Sequence, residues 1–551
     1  MQTRHLHYLL ITALGAVFFI PFIGSSHLFD WDEINFAESA REMILTGNYA
    51  TVQINYQPFW EKPPLFFWMQ VLSMKLFGVF EAGSSFSPEF GARFPNAIIG
   101  IITLLVFYHI GKKLYNPKFG ILWVLGYVGS FTPHLYFKSG IIDPTFNLFI
   151  FLGIWFLSQS LSITGTFLTP HKKRYAMLSG LFVGLAILTK GPVGGLIWGL
   201  TFVTYWGVNR FSKQILLDAL KPVFIAIGIA FLVACIWFGL SIYQNGWGLF
   251  LEFIQYQIRL LTTGDAGHEQ PFYYHFLVVL VGCFPISVLA IRAMMPTRDV
   301  YQANIEAELF KKWMLYLFWV VMILFTIVKT KIVHYSSMAW FPVSFLAAYH
   351  VYQILEGQWK WSKWVSFGLI FIGCTMAIAL TAVPLVGQYA TQIIPYIKDD
   401  FAVANLQAKV TWNGWEQYIG LSYLVGVVVL VWQHKIKELY LLTAICLFLY
   451  SAIVVRKIEG YSQRAAISFY ESLKGQDVYV EPIGFKSYAQ LFYFQKQPNQ
   501  PLRTEAYLLN EPHLDKPAYF VMKITADSAT KANPNLQLIK EENGFLFYKR
   551  K

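Results

Sequence analysis

Apolar stretches, each close to the roughly 20 residues that cross a bilayer as a helix, run through residues 8–24, 94–110, 119–137, 141–164, 175–189, 193–208, 223–243, 272–291, 313–328, 333–349, 365–385, 418–432 and 439–455. They predict about thirteen spans. A further stretch, 63–80, is apolar enough to be another, and charge decides its place. If it spanned, Lys112 and Lys113, His171 to Arg174, Arg210 and Lys213, Arg292 to Lys312, Lys360 and Lys363, and His434 to Lys437 would all face outward. Basic residues concentrate in cytoplasmic loops, so 63–80 is expected to lie along or dip into the outer face. With the N-terminus inside, the outer face then receives 25–93, 138–143, 244–271, 329–331, 387–416 and the tail after Arg456. In that tail the pattern changes to short β-branched and aromatic runs such as Asp477-Val478-Tyr479-Val480 and Ala518-Tyr519-Phe520-Val521-Met522, near helix-like stretches, which predicts a small α/β domain. The expected organisation is an all-α polytopic membrane domain over 1–455, with 25–93 as its first outer loop, and a small α/β domain over 456–551.

Composition agrees: of 551 residues, 56% are hydrophobic and only 13% charged, where soluble domains carry about 25% charged residues. Mean hydropathy is +0.46. The net charge of +12 does not indicate nucleic-acid binding, because the basic residues fall in short clusters between apolar runs, as topology signals do. Cys235, Cys283, Cys374 and Cys446 all lie inside apolar runs without paired ligand spacing, so neither a disulfide framework nor a zinc site is expected. The N-terminal apolar stretch has no small-residue cleavage site after it and is expected to be retained as the first helix.

Directly after that stretch, residues 29–43 hold six charged side chains: Asp30, Asp32, Glu33, Glu38, Arg41 and Glu42. Asp32, Asn35 and Ser39 fall at helical spacing. Capping is an equal reading for these acids, since negative charge at a helix start is favoured by about 0.3 to 1 kcal/mol. Next comes Trp60-Glu61-Lys62-Pro63-Pro64, where the prolines start a helix and hold Lys62 extended; interfacial anchoring is the plain alternative. Asp143, before Pro144, sits at the outer start of a span, with an N-cap role as its rival. Arg259 and His268 lie in the 244–271 loop, and Lys329, Lys331, His334 and Tyr335 follow at another outer turn. Lysines facing outward contradict a purely topological role, and holding a lipid phosphate is the physical alternative.

In order, Asp32-Glu33, Glu61-Lys62-Pro63-Pro64-Leu65, the run from Gly184 through Thr189-Lys190-Gly191-Pro192 to Gly194, and Lys329-Thr330-Lys331 with His334-Tyr335 resemble the bacterial aminoarabinose transferase and protein mannosyltransferase family, lipid-dependent glycosyltransferases of the GT-C fold. The resemblance covers most of the membrane part. It implies a bacterial inner-membrane enzyme that uses a polyprenyl (undecaprenyl) phosphate-linked sugar on the periplasmic face, with a lipid A, glycan or protein acceptor. Carried over by position, Asp32 matches the catalytic loop aspartate, Lys62 and Arg259 match donor-phosphate ligands, and Tyr335 matches a residue near that phosphate. Asp143 is a looser match to the second acidic position. Where the aminoarabinose branch has an arginine three residues after the first aspartate, this chain has Asn35, which removes one phosphate contact.

The expected chemistry follows from the leaving group. Charge growing on the lipid phosphate is neutralised by Lys62, Arg259, Lys329 and Lys331, with His334 and Tyr335 beside them and Glu61 and His268 as further candidates. Asp32 deprotonates or orients the acceptor, and Glu33 and Asp143 hold the acceptor or a divalent cation. The rival is a lipid-linked sugar flippase or transporter; it would place charges at mid-membrane, and such charges are scarce here.

Overall fold

The computed structural model describes residues 2–162, 168–262, 270–295 and 305–551. The described chain is mostly helical, with a short two-stranded pair, Gln53–Ile54 and Gln57–Pro58, and one small C-terminal sheet. The described residues of each of the thirteen apolar stretches fall mostly on helix, because a long apolar segment in lipid must satisfy its backbone internally. Six of the described helices are long and apolar enough to cross a membrane: Pro88–Leu114, Asp143–Ser162, Lys213–Asn245, Ile305–Ile327, Lys363–Gln388 and Ile436–Ile453. The 272–291 stretch is a pair, Tyr274–Gly282 and Ile286–Met294, bent by 116°. Others, such as Pro117–Val128 and Val193–Val208, are shorter helices. The debated segment forms Leu65–Leu76, about 18 Å at 1.5 Å per residue, well short of a roughly 30 Å hydrocarbon core.

The C-terminal sheet runs in the order Tyr479–Ile483, Ala518–Lys523, Phe545–Arg550, Leu536–Glu542, the first pair parallel and the others antiparallel. Alternation along the strands gives the sheet two apolar faces. Tyr479, Phe520, Met522, Leu546 and Tyr548 pack with Leu508 on one. Val480, Val521, Phe545 and Phe547 share the other with Ile467, Tyr470 and Phe492, and that cluster continues into Ile34, Phe36 and Met43 of the helix Asp32–Thr46 and Phe66 and Phe67 of Leu65–Leu76. The tail is therefore fused to the first loop by one core.

Candidate functional site

Segments that the charge argument puts on one face come together around one cavity of about 1180 Å³. Asp32 enters it from the start of the helix Asp32–Thr46. Trp31 stands at that helix's N-cap position without a side-chain cap bond. The Asp32 carboxylate lies 3.6 Å from His334 Nε2, and His334 Nδ1 is 2.5 Å from the Tyr136 hydroxyl.

Glu33 points into a different environment. Its carboxylate accepts from Arg93 twice, Nε to Oε1 at 2.9 Å and Nη2 to Oε2 at 2.7 Å, and from the backbone N–H groups of Phe29 and Gly140 at 2.9 and 2.5 Å. Arg93 also donates to the carbonyls of Ile23, Ser26 and His27. Burial favours the neutral acid, but the Arg93 charge and these donors outweigh it and hold the Glu33 carboxyl below its ordinary range.

A group of cations forms the other part of the wall. Lys62 Nζ and the Arg259 guanidinium each lie 5.2 Å from the centre of the Tyr256 ring, and the Tyr256 hydroxyl donates to Glu61 at 3.0 Å. Burial and the neighbouring Lys190 push the Lys62 ammonium down, against the pull of Glu61, Asp32 and Asp143. Arg259 arrives on the helix Trp247–Thr262, inside the 244–271 segment expected to be an outer loop between two spans. Its rings Phe250 and Phe253, one turn apart, both pack on Phe238. Asp143 does not stand free at its helix start: Lys190 Nζ is 2.5 Å from its Oδ1, and the same ammonium lies 5.7 Å from the Tyr335 ring centre. Lys190 ends the helix Pro170–Lys190, where Gly191 turns the chain at φ 93° and passes so close to Phe253 that a Cβ there would sit 3.0 Å from its ring.

Asp32, Glu33, Glu61, Lys62, Asp143, Arg259, His334 and Tyr335 thus line one cavity. Lys329 and Lys331 do not. Thr330 between them does; Lys329 is exposed, and Lys331 is buried with its ammonium donating to the Val328 carbonyl at 2.9 Å. Neither lysine, expected to hold phosphate, is thus part of this cavity's wall. His268 lies outside the described residues. Sequence reasoning missed Lys190, Tyr136, Asn147 and Lys486, all in the wall; of these only Lys190 carried a signal, in the Thr-Lys-Gly-Pro turn between two spans. Among the described residues no group of three or more His, Cys, Asp or Glu has metal-holding geometry, and the two carboxylates expected to hold a cation, Glu33 and Asp143, are each matched by a protein cation.

Residues 61–238 match the family model of dolichyl-phosphate-mannose-protein mannosyltransferases. An uncharacterised protein of Aquifex aeolicus is 26% identical over 71% of this chain and 72% of its own length. The undecaprenyl phosphate-alpha-4-amino-4-deoxy-L-arabinose arabinosyl transferase of Edwardsiella ictaluri is 26% identical over 63% of this chain, and the match spans only 60% of that relative. In fold, the crystal structure of Cupriavidus metallidurans ArnT bound to undecaprenyl phosphate superposes with a TM-score of 0.75 at 17% identity, covering 100% of this chain and 98% of that one. The apo oligosaccharyltransferase of Archaeoglobus fulgidus is more distant, with a TM-score of 0.51 at 10% identity over 90% of this chain and 64% of its own. The chain has the GT-C fold of these structures, and six of its described helices are long and apolar enough to cross a membrane. In sequence it is similar to the aminoarabinosyl and mannosyl transferases.

Proposed function

We propose that this protein moves a sugar from an undecaprenyl-phosphate donor to a lipid A, glycan or protein acceptor on the periplasmic face of the inner membrane, and that it crosses that membrane about thirteen times. The observation that carries the reading is the meeting of Asp32 with Lys62, Lys190 and Arg259 around one cavity in a GT-C fold. In the proposed reaction the acceptor oxygen attacks the anomeric carbon as its proton passes to Asp32. The bond from that carbon to the phosphate oxygen breaks, its electrons stay on the phosphate, and the anomeric centre inverts. Lys62 and Arg259, both held on Tyr256, and Lys190 neutralise the phosphate by preorganised charge. His334, fixed by Tyr136, orients Asp32. Glu33 is a structural clamp, since its oxygens are taken by Arg93 and two backbone donors. Asp143 positions Lys190. Lys486 of the tail, over the Trp31 ring, closes one side of the cavity.

The test is mass spectrometry of lipid A and surface glycoproteins from a deletion strain. Loss of one sugar from one of these acceptors supports the reading. An unchanged glycan profile with accumulation of lipid-linked sugar on the cytoplasmic side overturns it in favour of a flippase.

A further inference from the structure

Several buried side-chain oxygens and nitrogens among the described residues have no hydrogen-bond partner, and two of the residues that carry them also line the cavity: Asn35 and Asn147. Both residues are 2% exposed. In each the amide carbonyl oxygen is the unpartnered atom. Leaving such a group unpaired is costly, and native proteins rarely do so without a reason. The two share a second property. Asn35 is three residues past Asp32 and Asn147 four past Asp143, so each amide stands one helical turn from a cavity carboxylate and on its face.

They are also tied to the same centre. Asn147 Nδ2 donates to Ser337 Oγ at 2.9 Å, and Ser337 donates in turn to the His334 carbonyl at 2.6 Å. Because Ser337 fixes the amide's orientation, the carbonyl oxygen of Asn147 cannot exchange places with its nitrogen without losing that bond. His334 is the residue 3.6 Å from Asp32, the carboxylate on whose helix Asn35 lies.

We propose that Asn35 and Asn147 form the subsite that reads the sugar of the donor, each accepting a hydrogen bond from a ring hydroxyl or amino group. The ligand must supply O–H or N–H donors, and the candidates differ in this. An ionised lipid phosphate offers acceptors and a polyprenyl chain offers neither, whereas a sugar carries several donors around its anomeric carbon. The proposal rests on the glycosyltransferase reading and refines it: the cations hold the phosphate, and the two amides determine which sugar hangs from it. Both are positioning and specificity residues, and neither takes part in the proton transfer.

The experiment measures equilibrium binding by the purified full-length protein in detergent, using undecaprenyl phosphate alone and the same lipid carrying 4-amino-4-deoxyarabinose or mannose. Wild-type protein should bind one of the sugar-bearing lipids more tightly than the bare phosphate. Asn35→Ala and Asn147→Ala should each lose about fivefold or more of that sugar-dependent gain, the size of one neutral hydrogen bond, with affinity for bare undecaprenyl phosphate held within about twofold. Gel filtration and thermal unfolding check folding. Equal weakening toward the bare phosphate, an undiminished gain in both variants, or a wild-type protein that binds all three lipids alike would overturn the proposal. Failure of the wider reading looks different, because then the wild-type protein binds none of the three.

Discussion

Replacing Glu33 by Gln separates a structural carboxylate from a catalytic one. In the folded protein the Glu33 oxygens receive four hydrogen bonds, two of them from Arg93, and both side chains are nearly inaccessible, at 6% and 4% exposure. A Gln offers one acceptor oxygen and turns its NH2 toward a group that is itself a donor. It also leaves the Arg93 charge buried without its partner. Breaking a buried pair in this way costs about 3–5 kcal/mol, and one extra donor facing a donor keeps Glu33→Gln within that range. Reversible SDS unfolding in mixed micelles reads the loss, beside donor binding and transfer measured on the fraction that stays folded. Acid probes the same pair. Because the Glu33 carboxyl titrates below its ordinary value of 4.5, its contribution is complete above that pH and disappears as pH falls through the lowered value. Wild-type protein should lose stability on acidification below about 4.5, and the variant should lack that part of the slope. A variant within about 0.5 kcal/mol of wild type, an ordinary surface-substitution effect, yet without transfer, would refute the clamp and return Glu33 to the chemistry.

Three other outcomes follow from the same geometry. Lys62→Ala and Arg259→Ala should each weaken donor use by about 1.5–3 kcal/mol, the range for a bond to a charged group, and Arg259→Lys should rescue only in part, since lysine has no bidentate fork; unchanged donor dependence in both alanine variants would remove the phosphate assignment. At the junction of first loop and tail, His27 Nδ1 lies 2.9 Å from Glu459 Oε1. Burial opposes its charge, but Glu459, with Glu89 and Glu471, prevails and raises it above 6.5. Its stabilisation is therefore complete below about pH 6.5 and lost as pH rises through the raised value, and His27→Gln should abolish that dependence in unfolding measured between pH 5.5 and 9 (about the range of one His titration). For topology, with the four native cysteines removed, the exposed positions Ser85→Cys and Asn510→Cys should react with an impermeant thiol reagent from outside and Lys213→Cys only after permeabilisation; labelling of Ser85→Cys only after permeabilisation would mean that 63–80 spans.

The helices were legible because an apolar run in lipid has few alternatives to helix, and the inward-basic clusters grouped the loops that meet at the cavity. Composition says little about where a helix breaks. The run 272–291 is apolar throughout, yet it bends by 116° between its two helices. The site was legible where a motif joined neighbours in sequence, as in Glu61-Lys62-Pro63-Pro64. It was not where partners are far apart: Arg93 meets Glu33 across 60 positions and Lys190 meets Asp143 across 47, with no periodicity to connect them. Lys190 stood in a motif that gave it no partner, and Lys329 and Lys331 look alike in sequence, although one is exposed and the other bonded to its own turn.

The most direct test of the account is Asp32→Asn, which keeps the side chain's shape and removes its charge and basicity. Transfer from an undecaprenyl-phosphate sugar is measured in detergent beside binding of the same donor. The account predicts donor affinity near that of wild type and a transfer rate lowered by roughly 100-fold or more, the usual contribution of a general base. A variant that retains more than about a tenth of the wild-type rate, well above that expectation, would contradict the assignment of Asp32 and with it the proposed mechanism.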